Sequence, residues 1–445
     1  MTASTTLSPT DVAALRDRVT GRVLARGDLP DGGPTAAEAV AAHSTLVAHD
    51  PDVAVLAETE ADVVEAVRFA AHHGLRVRSH ATGHGQSSPI TDGVVLGTSG
   101  LAGVEVDPAS RVAHIGAGTR WSAVVDAAAE HGLAPVTGSS TSVGVVGYTL
   151  GGGYGPLTRS HGLTSDRVRG FRVVLADGSV VEAGPDSEPD LFWALRGGKG
   201  GLGVVTRLDL ELVPLRTLYA GSLTFDAPHV EEVLRGWAAW TATAPDDVTT
   251  SVAVLALPDL PFVPEHLRGR TVLALRFAYP GDPAEGERLA APLRALAPAL
   301  ADTVGELPVT AVATIHADPE DAGPSWVYGA GLREVDGEFL DRFLAELGPG
   351  SGSPFVAAEL RHVGGAGARD VEGGSAAGGR TAGFGLRLVG GNPPRRRAMV
   401  AGAAGVAGPT RALRQVPCRV RALKVDGQRA YARARAGEEV ALAAR

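Results

Sequence analysis

Between Gly138 and Gly155, seven glycines and five Ser/Thr residues fall within 18 positions. No single helix or strand spans such a segment comfortably, because glycine adds backbone freedom that ordering must remove. What it can form is a loop with reachable N–H groups that turn inward on an anion, with hydroxyls as further donors. A flexible surface linker is the alternative. Apolar Val143, Val145, Val146 and Leu150 interleave with the glycines, and a solvated linker has no use for them. The segment reads as a cradle for a pyrophosphate or a flat heterocycle laid against the main chain.

The flanking sequence is regular. Residues 1–44 read as a helical lead-in with a Gly/Pro break at 29–34. A strand is expected over 53–57. Thr59 then caps a helix, with Asp62 three residues on in a capping-box arrangement. Val63, Val64, Val67 and Ala70 give that helix an apolar face, and Gly74 closes it. A strand over 75–78 runs into the glycine-bearing loop at Thr82, Gly83, His84 and Gly85. Further strands are expected at 93–96, 103–106 and 112–115, and a helix at 121–131. Beyond the cradle, 168–175 and 180–183 flank Asp177-Gly178 as a hairpin. A short helix ends at 192–195, and 204–212 alternates like a strand. After Pro214 the pattern shifts to strands at 221–225, 251–256, 271–278, 355–361 and 381–389. Helices at 230–242, 284–296 and 338–347 alternate with them, the middle one carrying Pro292 against its second half. That mixture makes an α+β domain with long strands.

The 445 residues suggest two or three domains at roughly 150 each. Cys418 is the only cysteine, which excludes a disulfide framework and a cysteine-based zinc site; no metal site is expected. The formal charge of −9 argues against a nucleic-acid binder. The first ten residues lack the basic start and apolar run of a signal peptide. No apolar stretch approaches the ~18 residues of a membrane span. A cytoplasmic protein that does not engage membranes is the expectation. Residues 395–445 stand apart: 11 Arg and 1 Lys against 3 acidic residues leave +9, and hence −18 for the remainder.

The run Gly198-Lys199-Gly200-Gly201-Leu202-Gly203 matches GxGxxG. The dinucleotide fingerprint needs a strand before it and a helix after it. Here the order is inverted, so a Rossmann unit is not expected. No glycine loop ends in GK[ST], so a P-loop is absent.

Three segments together resemble the berberine bridge enzyme-like FAD-linked oxidases of the p-cresol methylhydroxylase (PCMH)/vanillyl-alcohol oxidase superfamily. They are Arg78-Ser79-His80-Ala81-Thr82-Gly83-His84-Gly85, the cradle from Ser140 to Gly155, and Leu191-Phe192-Trp193-Ala194-Leu195-Arg196-Gly197-Gly198 continuing to Thr206. The resemblance is good over about 45–215 and looser over 215–394. It implies an α+β fold: a two-subdomain PCMH-type FAD-binding domain at 45–215, then an α+β substrate domain with a large antiparallel sheet at 216–394. The basic Ala/Arg-rich tail at 395–445 falls outside it.

By that resemblance His84 carries FAD through the flavin 8α-methyl, a role that needs a neutral imidazole. A loop histidine hydrogen-bonded to phosphate is the alternative. Relatives with two attachments use a cysteine where this chain has Ser140, so a single bond is expected. Arg78, Thr82, Gly83, Gly85, Gln86 and Ser87 would surround the pyrophosphate. Gly138, Ser139, Ser140, Ser142, Val143, Gly144, Gly147 and Tyr148 would line the flavin and phosphate path. Gly152, Gly153, His161, Gly162, Asp166 and Val205 match further FAD-contact regions, with Asp166 either accepting from a ribose hydroxyl or sitting in a solvated turn. Gly201-Leu202 stands where relatives often have Asn-Phe, and Lys199 replaces a usual glycine.

The implied activity moves a hydride from a small organic substrate (an alcohol, sugar, amine or secondary metabolite) to flavin, with O2 as acceptor and H2O2 as product. A dehydrogenase using another acceptor and a catalytically impaired flavin-binding relative are the competing functions. Tyr328, Glu359, Arg361 and His362 are candidates for the catalytic groups, with structural ion pairs or hydrogen bonds as the alternative. In a strand, Glu359 and Arg361 would face one side and His362 the other. Relatives end in a Tyr-x-Asn segment that returns to the flavin. None occurs here, and a frame change or a decayed end is the favoured explanation for the tail.

Overall fold

The computed structural model describes residues 7–28, 32–261 and 263–391, with two-residue strand fragments at 412–413, 424–425 and 428–429. Cys418 and the charge asymmetry of the tail lie outside the described residues.

The first layer is a four-stranded sheet in the order Arg22–Ala25, Val53–Leu56, Val94–Gly97, Val77–His80. The last three are parallel to one another, and Arg22–Ala25 pairs antiparallel with Val53–Leu56. The helix Glu60–His72 makes the crossover. Its capping box closes as expected, with Thr59 accepting from Asp62 N and Asp62 reaching back. Asp62 also accepts from Thr20 N at 2.8 Å and Gly21 N at 3.2 Å. The lead-in is therefore tied to this helix, and it is not helical throughout. Arg22–Ala25 is a strand whose Val23 and Leu24 enter two different cores, so it shows no polar alternation.

The second layer is an antiparallel five-stranded sheet: Val104–Asp107, Val112–Gly116, Val204–Glu211, Val168–Val174, Val180–Ala183. The helix Trp121–Glu130 packs on it through Trp121, Val124 and Ala128, spaced for one helical face. Its Val125 turns instead toward a seam with Leu218, Ala220 and Ala278 of the third sheet.

That third sheet is the largest, with nine strands. Its central order is Thr217–Asp226, Thr271–Tyr279, Thr249–Ala256, Phe355–His362, Phe384–Gly390, Trp326–Leu332, all antiparallel. The helices Val230–Thr241, Pro283–Arg294 and Gly337–Leu347 carry the buried apolar residues that cover one face. Trp237 is fully buried there and donates to Thr250 Oγ1 at 2.9 Å. Pro292 lies in the last turn of its helix, which ends at Arg294, so the proline removes little helix. The strand Trp326–Leu332 was not expected, because its two glycines dilute the alternation. The opposite face of the sheet turns toward the glycine-rich segment.

Candidate active site

The cradle is held by the strand-like stretch before the helix Trp121–Glu130. Trp121 N donates to Val143 O at 3.1 Å, Ser122 N to Thr141 O at 2.9 Å and Val145 N to Thr119 O at 3.0 Å. Within the segment, Val145–Thr149 is a short helix, which the glycine count concealed. Several glycines are there for close packing. A Cβ on Gly155 would lie 1.9 Å from Thr137 O, and one on Gly138 2.9 Å from the Tyr148 ring. Gly153 combines φ +77° with a 2.6 Å approach to that ring. Gly147 differs: a Cβ there would meet nothing within 4 Å.

His84 sits at the Ser142–Gly144 part of the segment. Its Nδ1 is 2.9 Å from Thr82 Oγ1, and its Nε2 is 3.5 Å from Ser142 Oγ. Ser142 Oγ is in turn 2.9 Å from Ser140 Oγ, and Thr82 Oγ1 accepts from Gly144 N at 3.2 Å. The His43 ring stacks on His84, centroids 3.8 Å apart. Burial, then the neighbouring His43 and Arg120, pulls the His84 pKa down to about 4. Its imidazole is therefore neutral at pH 7. Gly83, at φ +72°, lets the loop press on Ala41, where a Cβ would come 2.8 Å from the carbonyl oxygen. Gln86 accepts from His49 Nε2 at 2.5 Å, while His49 Nδ1 accepts from Ile90 N.

The structure thus gathers His84, Thr82, Ser140, Ser142 and Gly144, with Gly85 and Gly147 close by through Lys199. Lys199 has φ +67°, rare for a side chain with a Cβ. Its Nζ lies 3.4 Å from Gly147 O, 3.1 Å from a Cβ placed on Gly151 and 3.9 Å from one on Gly85. The open glycine backbone, the hydroxyls and this cation form a donor set that fits a dinucleotide diphosphate.

Other expected contacts have different partners. Arg78 donates to Asp92 Oδ1 at 3.0 Å and is ion-paired there. The Tyr148 ring packs edge-on against Trp121, 5.7 Å between centroids, and is half-buried. Val143 packs against the second-layer core, and Val205 is buried in it. His161 Nδ1 lies 2.8 Å from Ser160 Oγ, and its carbonyl accepts from Arg167. Gly162 is at φ +88°, where a Cβ would come 2.8 Å from Asp166 Oδ2. Ser87 is exposed, and Gly152 is buried at φ +100°. Asp166 is neither a solvated turn residue nor a free acceptor. Its buried carboxylate takes Leu163 N at 2.8 Å and pairs with Arg380 at 2.5 Å.

The sheet face opposite the cradle carries the second half of the site. Glu359 Oε2 accepts from Arg361 Nε at 2.9 Å, and Oε1 accepts from Ser251 Oγ at 3.1 Å. Arg276 Nη1 is 3.5 Å from Oε1, and His316 Nε2 3.7 Å. Burial alone would raise the Glu359 pKa. Arg361, Arg276, His316 and Arg387 outweigh it and hold the carboxyl well below the usual range. Glu359 is ionised, a fixed charge and a weak proton acceptor. Ser139 Oγ donates to Asp318 Oδ2 at 2.6 Å, joining the cradle to this cluster. Tyr154, from the end of the cradle, lies under Arg361, whose guanidinium carbon is 5.9 Å from the ring centroid.

Glu359 and Arg361 share this face, and His362 and Tyr328 do not. His362 stacks on Phe384 at 5.4 Å, and its Nε2 is 3.2 Å from buried Arg159. Tyr328 packs into the helix-covered core beside Trp326. Both lie on the helix-covered side of the sheet. Sequence reasoning missed His316 and Asp318, which follow the 3-10 segment Val309–Ile315. Two polar residues directly after an apolar turn were their only signal.

Comparison with known proteins agrees with this geometry. Residues 51–184 match the model of a FAD binding domain. (R)-6-hydroxynicotine oxidase of Paenarthrobacter nicotinovorans is 39% identical over 175 residues, which span 39% of this chain and 38% of that protein. The chain thus aligns with well under half the length of that curated relative. Among solved structures, 6-hydroxy-D-nicotine oxidase from Arthrobacter nicotinovorans superposes with a TM-score of 0.72 at 23% identity, covering 91% of this chain and 90% of that one. The Physcomitrella patens BBE-like 1 protein gives 0.75 at 18% identity, covering 89% and 87%. At those identities the structural likeness speaks for the fold, while the FAD-domain match and the aligned relative speak for the cofactor. Together they show a FAD-binding domain over residues 51–184, in a chain whose fold is shared with these solved structures.

Proposed function

We propose that this chain oxidises a small organic substrate on a flavin carried covalently by His84, with O2 as final acceptor and H2O2 as product. One observation carries the reading: a half-buried, neutral imidazole lies against Ser142 and Thr82 at the glycine-rich segment, and Ser139 links that segment to a charged sheet face. When bound, FAD supplies the two-electron acceptor. Joining His84 to the 8α-carbon would replace one C–H and one imidazole N–H bond by a C–N bond, and the two protons and the electron pair would pass to O2 as H2O2. Neutrality gives His84 the lone pair for that bond, and Thr82 and Ser142 set the ring's orientation. Lys199 and the Gly85 and Gly147 backbone would hold the diphosphate. Ser140, a hydroxyl where double attachment needs a thiolate, limits the linkage to one bond.

The Glu359–Arg361 pair orients the substrate. Its charges are fixed before substrate arrives, so no reorganisation is needed at the moment of reaction. In net terms, an alcohol or amine and O2 become a carbonyl or imine and H2O2. Acid precipitation of the purified protein tests the linkage. A yellow pellet that turns colourless in His84→Ala is the expected result; colour retained in that variant refutes His84 as anchor. Peroxide release with O2 as sole acceptor tests the oxidase assignment.

A further inference from the structure

The face that carries Glu359 is laid out by strand register. Gly329, Arg387, Glu359 and Ala253 follow one another as cross-strand partners. The adjacent row is Gly385, Arg361, Ser251 and Arg276. Cross-strand partners point to the same side of a sheet, so three guanidiniums and one carboxylate share it. The segment packed over them adds Asp318 and His316. Burial together with Arg276 and Arg361 keeps His316 neutral. Three positive charges therefore face two negative ones among the described residues.

The surplus can be located. Glu359 is already engaged by Ser251, Arg276 and Arg361. Arg387 comes no nearer to it than 3.9 Å, and its side chain is 41% exposed. Beyond Glu359, the other acidic charge that acts on Arg387 is Asp318, which forms no direct ion pair with it. Arg276 Nε, by contrast, is buried without a hydrogen-bond partner. Beside Arg387 the sheet is bare. Gly329 presents no side chain, and a Cβ on Gly385 would meet only Arg361 Cβ, at 3.9 Å. A planar fork of N–H donors with room in front of it matches a carboxylate. Covering it with a neutral molecule would take a weakly paired cation out of water without a replacement partner.

We infer that the substrate carries a carboxylate and that Arg387 receives it, on the face where the proposed oxidation takes place. This rests on the reading that substrate meets the flavin over this sheet. The test is titration of the FAD-loaded protein with acetate, pyruvate and benzoate, and with benzamide as the neutral match for benzoate. Calorimetric heat and the flavin difference spectrum are both recorded. At least one carboxylate should bind below about 10 mM, and benzoate should bind at least about tenfold more tightly than benzamide. Arg387→Gln should remove that preference while leaving benzamide binding as it was. Because Arg387 is part-exposed at the sheet surface, the variant should keep its fold, which its melting temperature checks.

Equal binding of benzoate and benzamide, a preference that survives Arg387→Gln, or no carboxylate binding below about 10 mM would each overturn the inference. The heat signal needs no turnover, so the two readings fail separately. Carboxylate binding without flavin reduction by any substrate counts against the oxidase. Peroxide formation from a neutral alcohol without carboxylate preference counts against the anionic substrate alone.

Discussion

The His43 ring lies flat on the His84 ring, with centroids 3.8 Å apart and planes inclined by 16°. Two stacked imidazoles cannot both hold a proton cheaply, and burial acts in the same direction. The His84 pKa is accordingly down at about 4, against 6.5 for an unperturbed histidine.

Flavin attachment should therefore change little between pH 5 and pH 8, because the neutral fraction of His84 is nearly complete across that range. In His43→Ala the ring gains solvent and loses a like-charged neighbour, so its pKa rises toward 6.5. Attachment at pH 5.5 should then slow, while the rate at pH 8 holds. In-gel flavin fluorescence of FAD-reconstituted apoprotein measures both rates. An unchanged ratio between the two pH values in His43→Ala would remove the electrostatic role assigned to the stack.

Two glycines of the cradle should separate folding from cofactor binding. Gly155→Ala places a methyl 1.9 Å from Thr137 O. The backbone must shift, at a cost of about 1–3 kcal/mol, read as a lower denaturation midpoint. Gly147→Ala meets open space and lies within the helix Val145–Thr149. There alanine is favoured over glycine by about 1 kcal/mol. Apoprotein stability should hold or rise, while FAD uptake weakens because the methyl fills the cradle. Normal FAD uptake by Gly147→Ala would move the dinucleotide away from this backbone.

Lys199 tests the other side of the same space. Its φ of +67° costs about 1 kcal/mol for a residue with a Cβ. Lys199→Gly should relieve that cost and stabilise the apoprotein slightly. The same change removes the cation beside Gly147 and Gly151, so FAD bound non-covalently in a His84→Ala background should dissociate faster. Stopped-flow flavin fluorescence after dilution reads that rate, and the acceleration should shrink at high salt.

Local signals in the sequence proved reliable where the physics is local. The Thr59–Asp62 capping box, the turn at Asp177-Gly178 and the alternation that puts Glu359 and Arg361 on one face all depend on residues a few positions apart. The site depends on pairs that no spacing rule connects. Ser139 meets Asp318 across 179 positions, and Asp166 meets Arg380 across 214. Asp166 was read as turn or ribose acceptor because its partner could not be seen. The strand Arg22–Ala25 was missed because burial on both faces erases alternation. Tyr328 and His362 have suitable chemistry, and the sheet's two-sidedness puts them on the face away from Glu359.

The Asp166–Arg380 pair should matter to stability. Side-chain exposure is 6% for the carboxylate and 10% for the guanidinium. Arg380 also donates to Gly367 O at 3.1 Å and Ser375 Oγ at 3.0 Å, pinning 365–380 onto the FAD domain. Asp166→Asn leaves that cation only the more exposed Asp370, at 3.2 Å, as counter-charge, at a cost of about 1–3 kcal/mol. Limited proteolysis should then cut within 365–380 before any other described segment. Equal protease resistance in the variant would show that the loop is held by other means.

Glu359 gives the clearest pH dependence. Its carboxyl is held well below the ordinary glutamate value of 4.5, with Arg361 and Arg276 the strongest of the groups that oppose burial. For a carboxylate with a lowered folded pKa, the stabilisation is complete above the unfolded value. It is lost as pH falls from about 4.5 toward the folded one. Urea midpoints should thus decline below about pH 4.5. Other carboxylates, Asp62 and Glu60 among them, titrate in the same window, so the comparison must be with Glu359→Gln. That variant strands Arg276 and Arg361 without their shared counter-ion. It should lose about 3–5 kcal/mol at neutral pH, and its midpoint should then fall less steeply with acid. Parallel acid curves for the two proteins would mean that Glu359 keeps an ordinary pKa in the folded state, and the fixed charge assigned to the substrate face would have to be abandoned.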